Sequence, residues 1–186
     1  MTQYYYLVAS LPLLRFDEAA PVSSGEWLET CREQAASADY ELLARVSFAD
    51  LSVRRGDPAL WREFASWETA LRNELAVQRA QRLGHDPGPF LRPAPFQAGL
   101  TALAREALAA GSPREVEAAL DRRRWYLLDE LEAGTGFDLG RLIVYRLKLL
   151  LLERMNRFRP GTGGEAFARE YSGVLDGAAA SHGESI

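Results

Sequence analysis

Histidine and cysteine are the residue types that most often carry nucleophilic, acid–base or metal chemistry, and this chain of 186 residues has two histidines and one cysteine. His85 has no second His, Cys or Glu-x-x-His companion, so the spacing of a metal site is missing. Cys31 has no histidine nearby to take its proton, because His182 stands near the far end of the sequence. A phosphate-binding loop would join a strand to a helix and end in Lys-Ser/Thr; the glycines of residues 161–164 do neither. A di-iron bundle would need Glu-x-x-His on facing helices, and the sequence contains none. Asp129, Glu130 and Glu132 stand close to Arg122, Arg123 and Arg124, which predicts a solvated, self-paired face rather than an acid–base couple. The same arginines beside Trp125 and Tyr126 have the parts for phosphate contact and base stacking. A net charge of −4 argues against a nucleic-acid partner. No catalytic, cofactor-binding or metal-ligating residue is therefore assigned, and the chain is expected not to be an enzyme.

Composition sets the frame for what the chain does instead. With 47% hydrophobic and 26% charged residues it is expected to fold, with a core of ordinary size. A lone cysteine forms no internal disulfide, which suits a reducing cytosol. The opening MTQYYYLVASLPLL lacks the basic region of a signal peptide and is too short to span a bilayer. Lys148 and Glu153 bracket the longest leucine run, so no direct membrane insertion is expected, and a cytoplasmic location is expected instead.

The punctuation along the chain predicts an all-α fold, a bundle of about seven helices in two halves: 1–84, then a Pro/Gly-rich connector over 85–97, then 98–175, with a tail over 176–186. The two halves are expected to make one compact domain. Tyr4, Tyr5 and Tyr6 suit a short helical or extended segment; they could be a docking surface, though amphipathic core residues are the simpler account. Ser23 and Glu26 make a capping box for a helix to about Ala36, and a second is expected over 39–51 with Leu42, Leu43, Val46 and Phe48 inward. Up to Val53 eight acids face three arginines, an acidic third that could orient a partner. Asp57 followed by Pro58 predicts an N-cap with proline in the first turn, and Gly84 the end of that helix. Between them Leu60, Trp61, Phe64, Trp67, Leu71 and Leu75 form a stripe expected to be core. The connector HDPGPFLRPAPF blocks helix at several positions and is expected to be a rigid crossover. Further helices are expected over 97–110, from the Ser112-Pro113-Arg114-Glu115 start to Gly134, and over 165–175 with Phe167 and Tyr171 packed.

The stretch over 137–159, FDLGRLIVYRLKLLLLERMNRFR, is apolar around most of its circumference and is expected to be a central helix capped by Asp138. Its basic residues are the candidate partner contacts: Arg146, Lys148, Arg154 and Arg157. The alternative is that they snorkel from a buried helix to solvent. If they face a partner, reversing Arg154 and Arg157 to Glu should weaken association and leave helicity intact.

The N-terminal YYYLVASLP and the C-terminal FDLGRLIVYRLKLLLLERMNRF resemble a small helical family encoded in bacterial V-type (A/V-type) ATPase operons. That family is in turn remotely similar to the socket component of the V-type ATPase, an all-helical, funnel-shaped protein that seats the foot of the central shaft on the membrane ring. The resemblance implies a non-catalytic adaptor between the central shaft and the proteolipid rotor ring, peripheral at the cytoplasmic face of the inner membrane through the ATPase, without a cofactor. The chain is much shorter than the three-lobed socket protein, so no individual residue role carries over. The competing expectation is a helical chaperone or assembly factor that holds a partner peptide or helix in an apolar groove.

Overall fold

The structure, a computed structural model, describes residues 3–157. The expected helix over 165–175 and the tail over 176–186 lie outside the described residues. Seven α-helices and no strand occur among the described residues, in the order α1 (Tyr5–Ala9), α2 (Ser24–Gln34), α3 (Ser37–Arg45), α4 (Ala59–Leu83), α5 (Leu100–Leu108), α6 (Pro113–Ala133) and α7 (Leu139–Arg157). The all-α fold is the one the punctuation predicts.

Four helix ends are set by the local chemistry expected of them. Ser23 and Glu26 form both halves of the capping box at α2. Ser112 Oγ accepts from the Glu115 N–H at 3.3 Å, and Asp138 Oδ1 accepts from the Arg141 N–H at 3.2 Å. Gly84, at φ +67°, closes α4 with a Schellman pair: its own N–H reaches Gln81 O at 3.4 Å and His85 N–H reaches Ala80 O at 2.9 Å.

Other ends differ from expectation: α5 starts at Leu100 rather than 97, after Gly99 at φ +84°, and two more have a clear cause. The second helix stops at Arg45 rather than near Leu51. Beyond it the Asp50 N–H bonds Ser47 Oγ at 3.1 Å and the Ser52 N–H bonds Asp50 Oδ1 at 2.9 Å. Short polar side chains there satisfy the backbone in a turn and compete with the helix. Asp57 does not cap α4 either. Its carboxylate accepts from the Arg54 N–H at 2.7 Å and pairs with Arg45, and α4 begins after Pro58 with no side-chain cap.

The helix α7 packs against α2, α3, α4 and α6, the central position its apolar circumference predicts. Leu142, Ile143, Leu147, Leu149 and Leu151 on it are fully buried. Each such side chain contributes about 1.5–3 kcal/mol relative to exposure. Trp61, Phe64 and Leu71 on α4 are also fully buried, and residues from both sides of the connector belong to one contiguous core. Asn73 on α4 pins the connector by gripping the Arg92 backbone twice, Nδ2 to its carbonyl at 2.7 Å and Oδ1 from its N–H at 3.0 Å. Tyr4 acts as a rivet: its N–H reaches Phe137 O at 2.6 Å, while its hydroxyl donates to Asp39 and accepts from the Ala36 N–H. No helix among the described residues is long and apolar enough to cross a membrane.

Candidate functional site

The four basic residues singled out on α7 have different surroundings. Arg146 is only 8% exposed, and its Nη1 donates to Ser24 O at 2.7 Å. Two turns on, Glu153 accepts from the Ser24 N–H at 2.6 Å and the Ser24 hydroxyl at 2.8 Å. The start of α2 is thus gripped by a cation and an anion from α7. A carboxylate suits that place, since the first turn of a helix exposes unpaired N–H groups and the positive end of its dipole. Burial pulls the Arg146 pKa below the usual guanidinium value, and the Glu153 charge opposes it.

Lys148 is 6% exposed. Its ammonium lies 2.5 Å from Asp129 Oδ1, is also bonded to Glu132, and sits 5.0 Å from the centre of the Trp125 ring. Arg141 joins the same group through Glu132 at 2.9 Å.

Arg154 belongs to a longer chain of charges. It pairs with Glu117 at 2.8 Å and with Asp121, which pairs with Arg124 at 2.8 Å. Arg124 makes a two-pronged bond to Glu68, 2.9 Å from Nε and 3.1 Å from Nη2, and Glu68 pairs with Arg72 at 2.8 Å. Three anions alternate with three cations across α4, α6 and α7, and the middle of the series is dry: Glu68 is 0% exposed. Burial works against the Arg124 charge, but Glu68 and Asp121 outweigh it and hold the guanidinium above its ordinary value. The solvated, self-paired face expected around residues 122–132 is therefore corrected. Arg124 points inward, and Asp129 and Glu132 serve Lys148.

Arg146, Lys148 and Arg154 are thus engaged inside the molecule, and of the four only Arg157 is exposed. Reversing Arg154 to Glu would set a third carboxylate against Glu117 and Asp121, so unchanged folding is no longer expected of that substitution. The snorkelling alternative does not hold for Arg146 and Lys148, whose side chains stay inside. The buried acid that sequence reasoning missed left a signal. Positions 61, 64, 68, 71 and 75 step by three and four, and Glu68 is the one charged residue on that stripe.

A more exposed candidate lies at the other end of α7. Tyr6 is 91% exposed, and Tyr5 and Phe137, both partly open, pack with 5.1 Å between ring centres. The three tyrosines thus divide: Tyr4 is core, while Tyr5 and Tyr6 face outward. A separate groove of about 390 Å³ lies beside Met155, against the first half of α6.

Burial pushes the Tyr145 hydroxyl and the Cys31 thiol each up to about 12, so both hold their protons near neutrality. No group of three or more His, Cys, Asp or Glu among the described residues could hold a metal ion. Cys31 is 0% exposed, and iodoacetamide at pH 8 should label it in urea but not in the native protein, as intact mass will show. Labelling at equal rates in both would overturn its burial. Because the folded thiol has the higher pKa, its contribution to stability is complete below its ordinary value of 9.0 and is lost as pH rises towards 12.

Compared with protein-family models, with curated proteins and with solved structures, the chain finds no match.

Proposed function

We propose that the chain is a non-catalytic component or accessory protein of a bacterial V-type ATPase, a socket-like adaptor between the central shaft and the membrane rotor ring. The observation that carries this reading is the resemblance of YYYLVASLP and FDLGRLIVYRLKLLLLERMNRF to the family encoded in those operons. The geometry lends support in one respect, since these two stretches meet. Tyr4 bonds the Phe137 carbonyl, and the Tyr5 and Phe137 rings pack together beside the exposed Tyr6. An aromatic cluster of this sort is suited to anchoring a protein partner. A coupling element also gains from stiffness, and close-packed helices around α7 supply it.

Co-purification tests the reading. A tagged chain should recover the assembled ATPase, shaft and proteolipid ring included, in stoichiometric amount. Tyr6→Ala and Arg157→Glu both alter exposed side chains, so neither should change the far-ultraviolet circular dichroism. Tyr6→Ala should reduce recovery of the ATPase about tenfold or more, the loss expected of an anchoring aromatic worth about 1.4 kcal/mol or more. Arg157→Glu should reduce it more at low salt than at high salt. Failure to recover any ATPase component would sink the proposal.

The second reading, an assembly factor or chaperone for a partner helix, is favoured by the groove beside Met155. It predicts recovery with free ATPase components or assembly intermediates and none with the finished ATPase.

A further inference from the structure

The charges around the aromatic cluster at the start of α7 share one sign. Phe137 is followed by Asp138, whose carboxylate accepts from the Gly136 and Arg141 N–H groups. On the other side the Tyr4 hydroxyl bonds Asp39 and the Ala36 N–H, so the junction of α2 and α3 lies one tyrosine side chain away. Glu33 stands on the last turn of α2, and Asp39 and Glu41 stand in the first part of α3. Glu33 and Glu41 are exposed. None of these four carboxylates enters an ion pair among the described residues, because the cations beside them are taken: Arg32 by Glu29 at 2.6 Å, Arg45 by Asp57, and Arg141 by Glu132 at 2.9 Å.

Arg32, Arg45 and Arg141 are the only basic residues of α1, α2, α3 and the first two turns of α7. The helix α4 also adjoins at its start, where Leu60 comes close to Gly140, and there the charges of Arg62 and Glu63 cancel. The cluster itself is open. Tyr6 leaves its ring to solvent, and Tyr5 and Phe137 pack on one another with about half of each exposed. Rings bordered by carboxylates that no cation holds are complementary to a surface that is both apolar and positively charged.

We propose that this face docks a basic amphipathic segment of a partner protein. The apolar side of the segment lies on Tyr5, Tyr6 and Phe137, and its lysines or arginines lie among Glu33, Asp39, Glu41 and Asp138. This rests on the reading of the cluster as a partner anchor and adds the chemistry of what is held. Rings and acids work together, since the face of an exposed tyrosine attracts a cation and the carboxylates steer it in. An anionic lipid surface does not fit, because the same carboxylates repel it. A second copy of the chain does not fit either, since a two-fold contact would set these acids against themselves.

Fluorescence anisotropy with the full-length chain and a labelled amphipathic peptide of leucine and lysine tests this. Binding should weaken about tenfold or more in Tyr6→Ala. Glu33→Gln with Glu41→Gln should weaken it about fivefold or more at about 10 mM salt and less than about twofold at about 1 M, where screening is complete within a few ångströms. Glu106→Gln with Glu115→Gln is the control. These exposed acids stand by the start of α6, about 30 Å along that helix from its other end, and should change binding less than about twofold. Glutamate in place of every lysine of the peptide should abolish binding. Failure of the lysine peptide to bind, equal binding of the two peptides, no effect of Tyr6→Ala, or an equal loss in the control would overturn the proposal. The assay contains no ATPase, so the two readings fail separately. If the chain recovers no ATPase component but the peptide results hold, the adaptor reading falls and the basic partner stands. If the ATPase is recovered in full by Glu33→Gln with Glu41→Gln at low salt, the adaptor reading stands and this proposal falls.

Discussion

Changing Glu68 to Leu should lower the stability of the bundle by about 3–5 kcal/mol, the loss expected when one partner of a buried ion pair is removed. Glu68 has no exposed surface and holds two prongs of Arg124, itself buried, as well as Arg72. Without the carboxylate, Arg124 keeps Asp121 alone, in a place where water cannot take over. Arg72 reaches solvent and suffers less. At about 2–4 °C per kcal/mol for a chain of this size, the midpoint of thermal unfolding should fall by about 6–20 °C. Replacing both partners, Glu68→Leu with Arg124→Met, should be less damaging than Glu68→Leu alone, because no uncompensated charge is then left beside the leucine. Urea unfolding of the four proteins closes the cycle. Losses that simply add would mean that the two groups do not act as a pair.

Glu153→Gln should cost about 2–4 kcal/mol, for two reasons that reinforce one another. Glutamine offers one acceptor oxygen where the carboxylate offers two, so one of the two charge-assisted bonds from Ser24 is lost and the other becomes a neutral one, the hydroxyl having to turn and accept from the amide NH2. Arg146, buried close by, loses the charge that opposes its desolvation. The damage should be local before it is global. The start of α2 is gripped between Arg146 and Glu153, and loosening it uncovers Cys31 on the same helix. Native-state alkylation of Cys31 should therefore quicken in Glu153→Gln well below the unfolding midpoint. If labelling appears only at that midpoint, α2 does not detach separately.

The helix starts and stops were legible because their causes are local. Ser23 with Glu26, Ser112, Asp138 and Gly84 each act on backbone groups within about four residues, and all do what their types suggest. Asp57 shows where such signals mislead. Asp-Pro is a common helix start, yet its carboxylate had a stronger offer from Arg45, twelve residues away, and from the Arg54 N–H. The end of α3 was misplaced for a similar reason. Ser47 and Asp50 turned a tolerable helical continuation into a self-satisfied turn.

The candidate site was less legible, because a charge in a sequence does not say whether it meets solvent or an opposite charge. Lys148 and Arg154 looked like surface cations on a long apolar helix. Their partners stand 16 to 37 residues back, on a helix whose own acids looked solvated. Arg124 finds Glu68 across 56 residues, and Ser24 finds Glu153 across 129. Only Arg157 kept the surface position expected of it.

Sequence alone determined the helical class, the central place of α7 and several helix ends, because apolar periodicity and capping act over one or two turns. Tertiary structure decided which charges are internal, since pairing depends on distances between helices remote in sequence. It also divided the three tyrosines: Tyr4 is buried by its bonds to Phe137, Asp39 and Ala36, all remote in sequence, while Tyr5 and Tyr6 at the start of α1 face solvent.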